Sequence, residues 1–428
     1  MVLVGVAVVV WLPPEASRKF NHRLRARART APTVVYVLVE AARPDRFGVC
    51  AGPRPNTPVL ESLVAAGAAV RCDAIAPSTW STPGIATALT GLGVPEHGVD
   101  TVRRWAPDGS ELRPGVRPLA ASVQTVAERL LDAGYQTALV SENPLLKPAS
   151  GLDAGFVSSR VASRFGGARS THLRQSVQTL LGAELDPSRP LFLTLVLSAT
   201  REPLTPVPDG VSWAPPRRGL GCFGRLQPRC AAFHAGRMDE AARGAFVEEL
   251  TDLYDYGVAA DDRHLGAALD ELDAWGWRSA PWRLVVVGTS GVKLGEGGTY
   301  GLGGPVDERL VRVPLLVAGS EPPAPLPVAP SALLAPALAE TGAAPTALAA
   351  PMSFGNRPGP ARPGHHEPTA QARSAAQWEG TVRTTWNDGA WEQVDLATGG
   401  PRQVVGPEAA PALAEAVERW LGIIGRPP

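Results

Sequence analysis

Five short apolar runs punctuate the chain: Val34–Val39, Thr137–Val140, Leu191–Leu197, Leu284–Val287 and Val313–Val317. They are rich in Val and Leu and show almost no polar alternation. That pattern predicts strands buried on both faces, as in a parallel sheet. Between the runs the period changes. Over Ser122–Ala133 the apolar positions are Val123, Val126, Ala127, Leu130 and Leu131, and the pattern stops at Gly134. This is helical spacing with a glycine stop. Phe246–Ala274 places Phe246, Leu250, Leu253, Tyr254, Val258, Leu265, Leu269 and Leu272 at similar intervals, predicting one or two helices against the sheet. Alternating strands and helices predict a doubly wound α/β sheet. In such sheets ligands bind beyond the carboxyl ends of the strands. That rule selects Glu40, Glu142, Asn143, Arg201 and Ser290 as site candidates.

The pattern then weakens. From Glu321 to about His366 the chain is rich in Pro and Ala. Ser331–Glu340 could form a short helix kinked at Pro336, and Ala349–Glu367 reads as a linker. Gly380–Trp386 and Ala390–Leu396 flank Asn387-Asp388-Gly389, a strong hairpin signal, and a helix is expected over Ala410–Leu421. The expected organisation is an apolar and basic segment at 1–32, an α/β core at 33–345, a Pro-rich linker at 346–377, and a hairpin-plus-helix subdomain at 378–428.

The 428 residues are 44% hydrophobic and 19% charged, enough for a sizeable core. The formal net charge of zero argues against a nucleic-acid partner. Lysine occurs only at Lys19, Lys147 and Lys293, so arginine carries most of the positive charge. Cys222 and Cys230 flank a Pro/Gly/Arg-rich loop and could bridge in an oxidising compartment. Cys50 and Cys72 read as buried small residues. Met1–Leu12 is apolar but short of the roughly 20 residues that span a bilayer. Arginines dominate Arg18–Arg29. Residues 1–29 therefore read as a possible membrane attachment, with a disordered arm as the alternative. A membrane-associated or extracytoplasmic location is expected.

Thr33–Val39 delivers Glu40-Ala41-Ala42-Arg43-Pro44-Asp45, and Trp80-Ser81-Thr82-Pro83-Gly84-Ile85 follows forty residues later. Further along come Asn56-Thr57-Pro58-Val59-Leu60-Glu61, Leu89-Thr90-Gly91, His97-Gly98-Val99, Ala133-Gly134-Tyr135-Gln136-Thr137, Gly151-Leu152-Asp153-Ala154-Gly155-Phe156, Asp261-Asp262-Arg263-His264-Leu265-Gly266 and Trp391-Glu392-Gln393-Val394-Asp395-Leu396. Together these resemble the sulfatase family of the alkaline-phosphatase-like superfamily, over about residues 33 to 424. The resemblance implies a sulfatase-like α/β sandwich with a central, mostly parallel sheet and a small C-terminal subdomain.

The chemistry carries over less well. In the family the first strand ends in Asp-Asp and helps to hold a divalent cation, usually calcium; here the pair is Glu40-Ala41. The nucleophile position is Ser81, and the basic residue expected after it is Ile85. The late Ser-Asp-His-Gly-Glu element corresponds to Ser290-Gly291-Val292-Lys293-Leu294-Gly295-Glu296, without the Asp-His pair. The mid-chain histidine corresponds to Arg201, whose guanidinium suits sulfate or phosphate oxygens. Ser81 could instead be a helix N-cap, Glu40 a strand-end residue paired with Arg43 or Arg201, and Lys293 and Glu296 a solvated loop pair. His97 and His264 are expected to pack and hydrogen-bond.

The expectation is a catalytically impaired sulfatase-like protein that needs no cofactor. The alternative is an active sulfuric-ester hydrolase or phosphoryl transferase using Ser81 with a non-standard metal site. An active form would act on a sulfate- or phosphate-ester small molecule or glycan.

Overall fold

The computed structural model describes residues 14–27, 29–105, 111–163, 170–217, 228–321, 325–327, 352–355, 373–398 and 401–424. Seven strands form the central sheet: β1 (Thr33–Val39), β2 (Ala69–Ile75), β3 (Gln136–Ser141), β4 (Ser158–Val161), β5 (Leu191–Leu197), β6 (Trp282–Gly288) and β7 (Arg312–Gly319). Their order is β2-β7-β6-β1-β5-β3-β4. β1 runs parallel to β5 and β6, and β3 parallel to β4 and β5. β7 alone is reversed, antiparallel to β6 and β2. Each apolar run read from the sequence lies in one of these strands.

The helices that position the site are α1 (Pro14–Arg27), α2 (Pro58–Ala65), α3 (Ser81–Thr90), α4 (Val126–Asp132), α5 (Glu240–Ala274) and α6 (Pro411–Ile424). The buried strand β1 shows how they pack. Val35, Val37 and Val39 enter one core with Leu253, Tyr254, Val258 and Leu272 of α5. Val34, Tyr36 and Leu38 enter the other with Ile85 and Leu89 of α3 and Leu130 of α4. Both faces are therefore covered, which explains the absence of polar alternation in the sequence. Each such side chain contributes about 1.5–3 kcal/mol by leaving water.

Caps set the helix starts. α4 begins at Val126, four residues later than the apolar period suggests. Thr125 Oγ1 accepts from Glu128 N (3.1 Å) while Glu128 Oε2 accepts from Thr125 N (2.7 Å), a reciprocal capping box. α5 is one continuous 35-residue helix, beginning where Asp239 Oδ1 accepts from Ala242 N at 2.7 Å.

Beyond the core, Met352–Gly355, Ser374–Glu379, Val382–Asn387, Ala390–Asp395 and Gln403–Val404 form a five-stranded antiparallel sheet in chain order. The expected hairpin is present, but two strands of its sheet come from the stretch read as linker. Pro and Ala content concealed Met352–Gly355, whose Phe354 packs on Trp420 of α6. The short helix expected over Ser331–Glu340 lies outside the described residues.

Two further expectations need correction. Cys50 and Cys72, expected as buried small residues, are half-buried and disulfide-bonded, with Cα atoms 5.7 Å apart. The fold brings the turn after β1 beside β2, which their separation in sequence hid. Cys230 is also disulfide-bonded, and Cys222 lies outside the described residues. The basic arm, in turn, is a helix against the body. Lys19 lies over the Trp275 ring (5.3 Å), His22 meets the same ring edge-on, and Arg23 Nε donates to Ala274 O at 3.1 Å. Arg29 covers Trp277 and donates to its carbonyl at 2.8 Å. Residues 1–13, with the apolar run, lie outside the described residues.

Candidate active site

The carboxyl ends of β6, β1, β5 and β3 gather the residues selected from the sequence. Glu40 follows β1 and is fully buried. Its Oε1 accepts from Asn143 Nδ2 (2.8 Å) and Arg201 Nη1 (3.1 Å), and its Oε2 accepts from Ser198 Oγ. Of the two partners considered for Glu40, Arg201 is the one it meets. Arg43 instead bridges Asp45 and Glu296. That correction removes the Lys293–Glu296 loop pair: Lys293 Nζ lies 3.5 Å from Asp307 Oδ2. Burial raises the Glu296 carboxyl, but the hydrogen bond and charge of Arg43, with backbone hydrogen bonds, together outweigh it and hold the group below its ordinary pKa.

Ser81 opens α3 and is 1% exposed. Its Oγ lies 3.3 Å from Ser290 Oγ, just beyond β6. Gly84 makes that approach possible, since a Cβ there would sit 2.0 Å from Thr289 O. The partner of the Ser81 hydroxyl is thus another hydroxyl, which does not activate it as a nucleophile. Ile85 is fully buried in the apolar core, so the position of the family's basic residue faces hydrocarbon.

The loop before Ser81 is tied to the C-terminal subdomain. Thr79 N donates to Phe354 O (3.2 Å). Asp100 accepts from Trp80 Nε1 on one oxygen (3.2 Å) and from Trp420 Nε1 on the other (2.9 Å). No motif marked Asp100, because its two partners are 20 and 320 residues away.

His97 is a packing residue, as expected. Val99 N donates to its Nδ1 (3.0 Å), which places the proton on Nε2, 3.0 Å from Thr87 Oγ1. Burial lowers its pKa to about 3.

A hard cation such as calcium takes about six to eight oxygen ligands. At the end of β1 the family's carboxylate pair is reduced to Glu40, and a guanidinium already occupies its Oε1. The late element brings Ser290 and Gly291 in place of acid and imidazole. These residues do not fit a calcium ion held in the family's manner.

A different group lies on the far side of β5. Glu142, Asp261 and His264 each present a ligand atom within 4.8 Å of the others, and all three are buried. Among the described residues no other trio of His, Cys, Asp and Glu meets that distance. His264 Nδ1 stands 3.4 Å from Glu142 Oε1 and 4.0 Å from Asp261 Oδ1. Burial, and then the Glu142 charge, push the Asp261 carboxyl well above its ordinary pKa. The strand-end rule had selected Glu142. The i,i+3 spacing of Asp261 and His264 was the signal for the other two.

A separate cavity of about 300 Å³ lies at the opposite end of the sheet, lined by Thr30, Pro32, Trp282, Arg283 and Ser320. It is remote from the strand ends that carry these groups.

The fold is that of known sulfatases. Over 92% of this chain and 97% of the other, it superposes on BT4656 solved with D-glucosamine-2-N,6-O-disulfate (14% identity, TM-score 0.61). Ps i-CgsB, solved with a neocarrahexaose, covers 93% of this chain and 94% of its own (14% identity, TM-score 0.59). A phosphonate monoester hydrolase of Agrobacterium radiobacter covers 92% and 95% (15% identity, TM-score 0.58). No curated protein sequence matches the chain. The sulfatase family model matches residues 32–335. With that match across most of its length, and a mostly parallel seven-stranded sheet of the same architecture, the chain belongs to the sulfatase family.

Proposed function

We propose that this protein retains the sulfatase fold as a binding or structural module and has lost the family's ester hydrolysis. The observation that carries this reading is the state of Glu40. Its carboxylate is neutralised by Arg201 and hydrogen-bonded by Asn143 and Ser198, so the strand end is complete without a cation. Ser81 faces Ser290 rather than a base, and Ile85 replaces a cationic side chain with a methyl-rich one. The test is turnover of aryl sulfate and aryl phosphate with calcium, manganese or zinc supplied. The wild type should match Ser81→Ala. Turnover abolished by Ser81→Ala would overturn the proposal.

One observation favours the second reading, a Ser81 hydrolase or phosphoryl transferase with a non-standard metal. The Glu142–Asp261–His264 group is linked to Glu40 through Ser198, whose N–H donates to Glu142 Oε2 (2.8 Å) and whose hydroxyl donates to Glu40. Under this second reading the substrate would be a sulfate- or phosphate-ester small molecule or glycan, in line with the structures bound to D-glucosamine-2-N,6-O-disulfate and a neocarrahexaose.

The Cys50–Cys72 bridge supports an oxidising, extracytoplasmic compartment. No helix among the described residues is long and apolar enough to cross a membrane. Membrane attachment through residues 1–29 belongs to this proposal, with Arg23 and Arg29 engaged on the body rather than available to lipid.

A further inference from the structure

We propose that Glu142, Asp261 and His264 form a binding site for a divalent transition-metal ion, zinc being the best match. This inference does not depend on whether Ser81 turns over an ester. The three ligands come from two elements that the fold presses together. Glu142 follows β3, while Asp261 and His264 stand one turn apart on one face of α5. Gly257 lets α5 lie against the loop after β5, since a Cβ there would sit 2.4 Å from Ala199 O.

The spacing suits the ion. In a tetrahedral site with bonds of about 2.0–2.1 Å, ligand atoms lie roughly 3.3 Å apart. Here the imidazole nitrogen is 3.4 Å from one carboxylate oxygen and 4.0 Å from the other, so small side-chain rotations would close the set. Imidazole with two carboxylates is a zinc-type donor set and a poor one for calcium, which prefers all-oxygen shells.

The supporting hydrogen bonds point the same way. Glu142 Oε2 is held by Ser198 N (2.8 Å), which turns Oε1 toward His264. Asp261 accepts from Ala199 N (3.1 Å), Thr200 N (3.3 Å) and Thr200 Oγ1 (3.1 Å). Donors that fix the orientation of ligating carboxylates are characteristic of metal sites. The charge count agrees as well. Two carboxylates share a buried space, and a dication would neutralise both, displacing any proton the group holds when empty.

The rival account is a proton-sharing cluster that binds no metal. The full chain, dialysed against metal-free buffer after growth with zinc, manganese and calcium present, should retain close to one zinc per chain by elemental analysis. EDTA should lower its melting temperature, and zinc should restore it. Glu142→Gln and His264→Gln should each weaken zinc binding more than about 100-fold, since even a supporting hydrogen bond is worth about 10–100-fold. Thr200→Val, which removes no ligand but takes away a hydroxyl that meets both Asp261 and the Glu40 carbonyl, should weaken binding about tenfold. If one variant fails to fold, the other and the EDTA response of the wild type still decide. A metal-free protein whose melting ignores EDTA and zinc, retention of calcium alone, or variants with undiminished zinc binding would each overturn the proposal. Ester turnover is not part of this readout, so its result bears only on the function proposed above.

Discussion

Arg201 donates to Glu40 across 3.1 Å and joins residues 161 positions apart at the buried end of the sheet. The guanidinium supplies a positive charge to a fully buried carboxylate. Removing one partner of such a pair strands the other. Arg201→Ala should destabilise the fold by about 3–5 kcal/mol in urea unfolding. The double variant Arg201→Leu/Glu40→Leu should lose less than the two single changes combined.

Placing a basic residue at position 85 should not raise ester turnover. Ile85→Arg places a guanidinium in a fully buried apolar position. An unpaired charge there costs several kcal/mol. The variant should unfold at lower urea and show no gain in aryl sulfate turnover.

The Ser81 loop and the C-terminal subdomain should behave as one unit. Trp420→Phe removes an indole N–H from Asp100, leaving the other oxygen on Trp80. The expected loss is about 1.5–3 kcal/mol, as for a hydrogen bond to a charged group. Hydrogen exchange should show weaker protection across 79–90 as well as in α6. Protection lost in α6 alone would refute the coupling.

Acid should weaken the fold through His97. Its folded pKa of about 3 lies below the ordinary 6.5. As pH falls below about 6.5 the unfolded chain takes up a proton that the native imidazole refuses. Stability from this group is full above that value and is lost on acidification, by about 1.4 kcal/mol per pH unit. Comparing urea unfolding at pH 7 and 5 for the wild type and His97→Gln isolates the slope, which the variant should lack.

Reduction should also be felt. The Cys50–Cys72 bridge closes a separation of 22 residues. A loop of that size stabilises by about 3 kcal/mol in the chain-entropy account. Cys50→Ser/Cys72→Ser should therefore melt several degrees lower than the oxidised wild type, and reductant should lower its melting temperature less than that of the wild type, since only the bridge of Cys230 is left to reduce.

Strand-end chemistry was legible where local rules apply. Glu40, Glu142, Asn143, Arg201 and Ser290 all follow apolar runs, and the sheet brings their strand ends together. Asp100 and the 352–355 strand were not legible, because each gains its role from a partner far along the chain. Asp261 and His264 had a helical spacing but no sign of Glu142 opposite them.

The sequence by itself determined the α/β alternation, the hairpin at Asp388-Gly389 and the family resemblance. These follow from periodicity and short-range hydrogen bonding, which a chain carries in its local order. The tertiary structure alone decided that Arg201 meets Glu40, that Ser81 faces Ser290, that Cys50 meets Cys72, and that a carboxylate beyond β3 meets an acid and an imidazole of α5. Each is a contact between residues brought together by strand order, and strand order is set by burying both faces of the sheet rather than by any neighbouring residue in the chain.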